Sequence, residues 1–207
     1  MASQISHIIY ADKFLRENTW AKEKIKDLKE FMLGVLFPDI RRVSNATREE
    51  THLCFEKLDL NFSGMSIFQA GWKFHVWCDL RRNEVLRDLG FYELKKIKES
   101  YYLSYYFLED QLIWDEYRNW KELTDFLSQP PFFQIFDHLG KNDWNFWYQA
   151  VAEYLKNEPN EKSIIDFLTK QPGLFGKKER ILKEFEDLGK DKSVKKKLEL
   201  VKDLILI

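Results

Sequence analysis

Residues 67–80 read Ile67-Phe-Gln-Ala-Gly71-Trp-Lys-Phe-His75-Val-Trp-Cys-Asp79-Leu80. Their apolar members (Ile67, Phe68, Ala70, Gly71, Phe74, Trp77 and Cys78) nearly encircle a helical cylinder, which predicts a central helix opened at Ser63 or Gly64 and running to about Leu80. His75 and Asp79 are four residues apart, so they share a face with Cβ atoms about 5–6 Å apart. Such a pair on so apolar a helix must find each other or share a partner. A structural His–Asp hydrogen bond is one reading. Two ligands to one cation is the other, since the spacing suits both.

Outward from that helix the chain keeps to helical periodicity. Residues 7–33 carry Ile8, Tyr10, Phe14, Ile25, Leu28, Phe31 and Met32 at helical spacing, with an interruption at Asn18 and Thr19 where Thr19 could cap a second helix. Pro38 ends the next apolar run, and residues 39–44 read as a loop. Thr47-Arg-Glu-Glu50 is a capping box that predicts a helix over 48–58 carrying His52. Asn83 could cap a short helix ending at Gly90, and residues 91–128 show sustained helical spacing up to Pro130-Pro131. Beyond the prolines, helices are expected over 142–156, 161–170, 177–188 and 191–206. The expected architecture is all-α, a bundle of about nine helices. It divides into a core over residues 1–130 and a C-terminal helical extension over 131–207 packed on that core.

Composition agrees and excludes several classes. The chain has 207 residues, 8 Gly and 5 Pro, too few for the many turns of an all-β fold. Lys and Arg total 33 against 34 Asp and Glu, a net charge of −1. That balance gives no strong nucleic-acid signal. The lysines of 190–197 read as a solvated helical face. Two Cys can form neither a disulfide framework nor a Cys-type zinc site. No stretch approaches the roughly 20 apolar residues of a membrane span. With no basic leader ahead of an apolar run, the expected location is cytoplasmic.

The reactive inventory is four His, of which three lie in the first 80 residues. His7, Asp39 and His52 precede the His75/Asp79 pair. Further along, Glu109 or Asp110 is expected to turn inward among Phe107, Leu108, Leu112 and Ile113, and an inward carboxylate needs a cation or strong donors. Tyr101, Tyr102, Tyr105 and Tyr106 either line a pocket or pack in the core. His138 is expected to end a helix ahead of Gly140, where its positive form would suit the helix dipole.

In this order the residues resemble the zinc-dependent phospholipase C family, related to the P1-type nucleases. The resemblance rests on Ser3-Gln-Ile-Ser-His7, on Phe31-Met-Leu-Gly-Val-Leu-Phe-Pro-Asp39, on His52, and on Gly71-Trp-Lys-Phe-His75-Val-Trp-Cys-Asp79. It covers about residues 1–115. It implies a helical bundle holding divalent metal, most simply zinc with manganese or iron as substitutes, on His7, Asp39, His52, His75, Asp79 and Glu109. The family's later His-x-x-x-Glu reads Tyr105-Tyr-Phe-Leu-Glu109 here, and Leu80-Arg-Arg-Asn83 stands where another His is usual. The resemblance therefore implies a mononuclear or dinuclear site rather than a full trinuclear one.

The implied activity is hydrolysis of a phosphoester, of a phospholipid, nucleotide or similar molecule, by metal-bound hydroxide. Asp39, expected on a loop at the mouth, is the catalytic candidate as bridging carboxylate or base. Arg41, Arg42, Arg81 and Arg82 flank the ligands in sequence and present guanidinium forks suited to phosphate. The alternative is a helical domain that lost the chemistry and serves as a binding module.

Overall fold

Gly34 and Gly71 face each other where two helices cross at the centre of the molecule. A Cβ on Gly34 would lie 2.0 Å from the Phe68 carbonyl oxygen, and one on Gly71 would lie 2.1 Å from that of Phe31. Only glycine permits this approach, because the collisions are with backbone, which has nowhere to go. The two helices are α3 (Leu28–Leu36) and α5 (Ile67–Asp88). Their crossing is the most extensive helix–helix contact in the chain.

The computed structural model describes residues 3–207 and, among them, shows helices and no strands. Before the crossing come α1 (Gln4–Glu17) and α2 (Thr19–Lys24); between its two members lies α4 (Arg48–His52). After it follow α6 (Lys95–Glu99), α7 (Tyr102–Ile113), α8 (Trp120–Leu127), α9 (Lys141–Tyr154), α10 (Glu161–Thr169), α11 (Lys178–Gly189) and α12 (Lys192–Leu204). Nine of the twelve are seven residues or longer, in line with the expected multi-helix bundle. No described helix is long and apolar enough to cross a membrane.

Several local expectations are corrected. The central helix starts later and ends later than its apolar stripe indicated. Ser66 caps it in a reciprocal box with Gln69, and Asn83 lies inside it rather than capping a new one. The helix of 48–58 stops at His52. There the Trp72 indole donates to the Thr51 carbonyl at 2.6 Å, and Lys73 draws the following loop inward by bonding Asp59 and the Asn61 carbonyl. Residues 37–42 are a 3₁₀ helix, not a loop. Asn18, not Thr19, holds the N-cap position of α2. The periodic stretch 91–128 is broken into α6, α7, α8 and 3₁₀ turns. No helix precedes Gly140: His138 lies on an irregular segment, stacked on Phe136 and 3.6 Å from Glu50 at the surface.

Residues 131–207 share one hydrophobic core with the rest. Their α9 does specific work for α3. The Trp147 indole donates to the Leu36 carbonyl at 2.9 Å and the Tyr148 hydroxyl to the Leu33 carbonyl at 2.7 Å. These are among the last carbonyls of α3, which lack partners within their own helix. With them satisfied, the chain tightens into the 3₁₀ turn that carries Asp39.

The glycine crossing makes a prediction with an informative sign. Alanine is the better helix former by about 1 kcal/mol, so at an open site Gly71→Ala would stabilise. Here the collision with the Phe31 carbonyl should outweigh that gain and destabilise by about 2–3 kcal/mol, read as a lowered urea midpoint. An unchanged or raised midpoint would contradict so close a crossing.

Candidate metal centre

Three buried imidazoles surround the Asp79 carboxylate. His7 comes from the second turn of α1, His52 from the end of α4, and His75 from the middle of α5. His7 and His75 stack with ring centroids 3.8 Å apart, and His52 meets His75 edge-on at 5.3 Å.

The Nδ1 atom of each ring is engaged with the protein. His75 Nδ1 lies 2.7 Å from the Val35 carbonyl, and His7 Nδ1 lies 2.9 Å from the Ser3 carbonyl. A carbonyl only accepts, so both nitrogens carry the hydrogen. His52 Nδ1 lies 2.9 Å from the Thr51 hydroxyl, which donates its own hydrogen to the Thr47 carbonyl at 2.8 Å. The threonine oxygen therefore accepts from His52 as well. Burial pushes the His52 pKa down to about 4, and burial with the neighbouring His7 holds that of His75 well below the usual range. Both rings are neutral at pH 7, with the Nε2 lone pair exposed to the cluster.

Those lone pairs face a carboxylate. His7 Nε2 lies 3.3 Å from Asp79 Oδ1, and the Nε2 atoms of His52 and His75 each lie 3.8 Å from Asp79 Oδ2. His52 Nε2 and His75 Nε2 have no hydrogen-bond partner. A proton on His7 would reconcile one of these contacts; a cation among the rings and the carboxylate reconciles them together. Zinc bonds of about 2.0–2.1 Å set tetrahedral ligand atoms about 3.3 Å apart, close to what is present. Two ligand triplets fit a metal ion, His7/His75/Asp79 and Asp39/His52/His75, each with its ligand atoms within 4.8 Å of one another. They share His75, whose one available lone pair serves one ion, while Asp79 presents a separate oxygen to each side. The hydrogen bonds at Nδ1 are the outer support that metal-ligating imidazoles typically have.

Asp39 is not on a surface loop as expected. It is buried in the 3₁₀ turn, where its Oδ2 accepts from Gln4 Nε2 at 2.9 Å and its Oδ1 from Arg42 Nε at 3.0 Å. Burial alone would raise its pKa; the Arg42 and Arg41 guanidiniums beside it hold it well below the carboxylate range instead. Each oxygen keeps a second lone pair that a ligand bond can use.

The structure does not bring Glu109 to the cluster. It turns inward, as does Asp110, but its cation is Arg82: Nε donates at 2.7 Å, Nη2 donates to the same oxygen, and Tyr10 donates to the other. The Arg82 guanidinium also lies over the Tyr106 ring. Asp110 accepts from the Ser6 backbone N–H and hydroxyl at 2.9 and 2.7 Å and from Tyr154 at 3.0 Å. It thereby satisfies an otherwise orphaned first-turn donor of α1, next to His7. Adjacent residues of α7 thus grip α1 at Ser6 and Tyr10, on either side of His7. Tyr105 and Tyr106 are core residues.

Of the four arginines, Arg41 and Arg42 face Asp39, Arg82 is consumed by Glu109, and Arg81 pairs with Glu84 at the surface. A further arginine beside the cluster is Arg48, which sequence reasoning passed over. With His52, Asp79, Asn83 and a set of aliphatic side chains it lines a surface pocket of about 120 Å³. Its position four residues before His52, inside a capping box, was the available signal. No protein-family model, curated protein or solved structure matches the chain.

The Arg82–Glu109 pair is fully buried, so cutting one partner strands the other's charge. Arg82→Met should destabilise by about 3–5 kcal/mol in chemical denaturation. Adding Glu109→Gln to Arg82→Met should recover much of the loss. Equal stability of the single variant and the parent would contradict the pairing.

Proposed function

We propose that the chain is a metal-dependent hydrolase of phosphate esters. The observation that carries the reading is the set of three Nδ1-anchored imidazoles aimed at one carboxylate beneath a surface pocket. The resemblance to the zinc-dependent phospholipase C family supplies the phosphoester part.

In this reading His52, His75, Asp39 and one oxygen of Asp79 hold a divalent cation, most simply zinc, with manganese or iron as alternatives. His7 and the other oxygen of Asp79 offer a second, adjoining position. Such a cation lowers the pKa of bound water toward about 7 and polarises a phosphoryl oxygen. Asp39, kept ionised by Arg42 and oriented by Gln4, balances the positive charge. Val76 and Leu58 are among the aliphatic side chains that line the pocket. His52 and Asp79 are the ligands that reach that pocket, so they mark the side on which substrate meets the centre.

A binding module without chemistry is the competing reading. It is favoured by the engagement of Glu109 with Arg82, which withdraws one carboxylate from metal work. The two are separated by one set of measurements. Zinc should bind the purified protein, raise its melting temperature, and support hydrolysis of a generic phosphodiester such as bis(p-nitrophenyl) phosphate. At a thousandfold excess over Kd the stabilisation would be about 4 kcal/mol. His75→Ala should abolish the zinc-dependent rise in melting temperature and the hydrolysis together. Zinc binding with no turnover of phosphoesters would favour the module. No zinc binding, with His75→Ala merely less stable, would reduce the cluster to a core polar network.

A further inference from the structure

A second pocket, of about 290 Å³, opens where the first turn of α3 meets the first turn of α8. That volume is at the lower end for small-molecule sites. The pocket shares no lining residue with the one beside the histidine cluster. Part of its wall is hydrocarbon: Met32 and Leu123 are buried, and Leu28 is 37 % exposed beside them. Tyr117 belongs to the same wall and is 5 % exposed. The hydroxyls of Tyr148 and Tyr154 donate to protein acceptors, whereas that of Tyr117 has no hydrogen-bond partner among the described residues. Burial pushes the Tyr117 pKa up to about 12, so at pH 7 the hydroxyl keeps its hydrogen and is a donor. A buried donor on a pocket wall, with no acceptor in the protein, calls for an acceptor in the pocket.

The charged groups of the lining are divided in a way that favours such an acceptor. Glu122 pairs with Lys29 at 3.0 Å, and Asp27 caps α3 by accepting from the Glu30 N–H at 3.0 Å. Both acids are therefore engaged, while Lys26 has no ion pair or hydrogen bond among the described residues. Asn119 holds the N-cap position of α8 without a side-chain capping bond. The first N–H groups of that helix thus lack a side-chain cap, and its dipole favours negative charge at this end. We propose that this pocket is a second ligand site, which takes a small molecule with one carboxylate and a short apolar body. The carboxylate lies against the Tyr117 hydroxyl, Lys26 and the start of α8, and the body lies on Met32, Leu28 and Leu123. One unpaired ammonium matches one negative charge. A phosphate dianion fits less well, because the Glu122 carboxylate lines the same pocket. The inference stands apart from the metal-dependent reading and uses none of its residues.

The test titrates the full chain with benzoate and follows backbone amide resonances by NMR. Benzoate should bind saturably and shift the amides of residues 119–123 at the start of α8. Tyr117→Phe removes the hydroxyl and keeps the ring. The hydroxyl has no partner in the protein, so the melting temperature should be unchanged, while benzoate affinity should fall by about tenfold or more, the loss of one hydrogen bond to a charged group. Benzamide, the neutral amide of the same shape, should bind the wild type more weakly than benzoate. A wild type that ignores benzoate would overturn the proposal, as would equal benzoate affinity in wild type and Tyr117→Phe, or shifts confined to other parts of the chain. Benzamide binding as tightly as benzoate would overturn the assignment of a carboxylate.

Discussion

The close crossing of α3 and α5 at Gly34 and Gly71 is the constraint on which the rest of the structure depends. It is a contact of backbone on backbone, so its distance is not adjustable by repacking side chains. Val35 follows Gly34, and His75 lies one turn beyond Gly71. The crossing therefore delivers the Val35 carbonyl to within hydrogen-bonding distance of His75 Nδ1. That bond decides which nitrogen of His75 carries its hydrogen, and hence that the other points its lone pair into the cluster. Beyond the same stretch of α3, the capped carbonyls of Leu33 and Leu36 let the chain turn directly into the 3₁₀ segment with Asp39.

Around this crossing the buried polar groups form two tiers. The upper tier is the cluster of His7, His52, His75, Asp79 and Asp39, in which the Nε2 atoms of three rings meet two carboxylates. The lower tier is Tyr10, Arg82, Glu109, Asp110, Ser6 and Tyr154, in which every carboxylate has its donors. The tiers share helices. His7 and Tyr10 are three positions apart on α1, as are Asp79 and Arg82 on α5, so the lower tier holds both helices in register for the upper one. Burying so many polar groups is costly, and a fully hydrogen-bonded network on the same helices is what makes such an arrangement tenable.

Much of this was legible in the sequence, for identifiable reasons. The capping box at Thr47–Glu50 and the C-terminal amphipathic helices are local patterns, and local patterns survive folding. The His75/Asp79 pair was visible because helical spacing is a geometric statement. That His7, His52 and Asp39 approach this pair is a long-range fact, for which periodicity has no signal; only the ordered resemblance suggested it. Glu109 shows the limit most clearly. Its apolar neighbours marked it as inward-facing and in need of a cation or strong donors, but they could not say that the cation is Arg82, 27 residues earlier. The same ambiguity let Arg82 and Arg42 read as forks for phosphate, when their guanidiniums are paired with Glu109 and Asp39. Gly71 counted only as one apolar member of its helix and Gly34 only as part of an apolar run, and their value emerges when the two are seen face to face. The end of α4 at His52 was missed because it is imposed by Trp72 and Lys73 on another helix.

The central claim is the common orientation of the three rings. Nitrogen-15 chemical shifts of the imidazoles of His7, His52 and His75 in metal-free protein at neutral pH measure it directly. The account predicts that the hydrogen sits on Nδ1 in all three, and that titrated zinc moves the Nε2 resonances of the rings that ligate it while the Nδ1 hydrogens stay in place. Hydrogens on Nε2 of His52 and His75, or Nε2 shifts that ignore zinc, would contradict it.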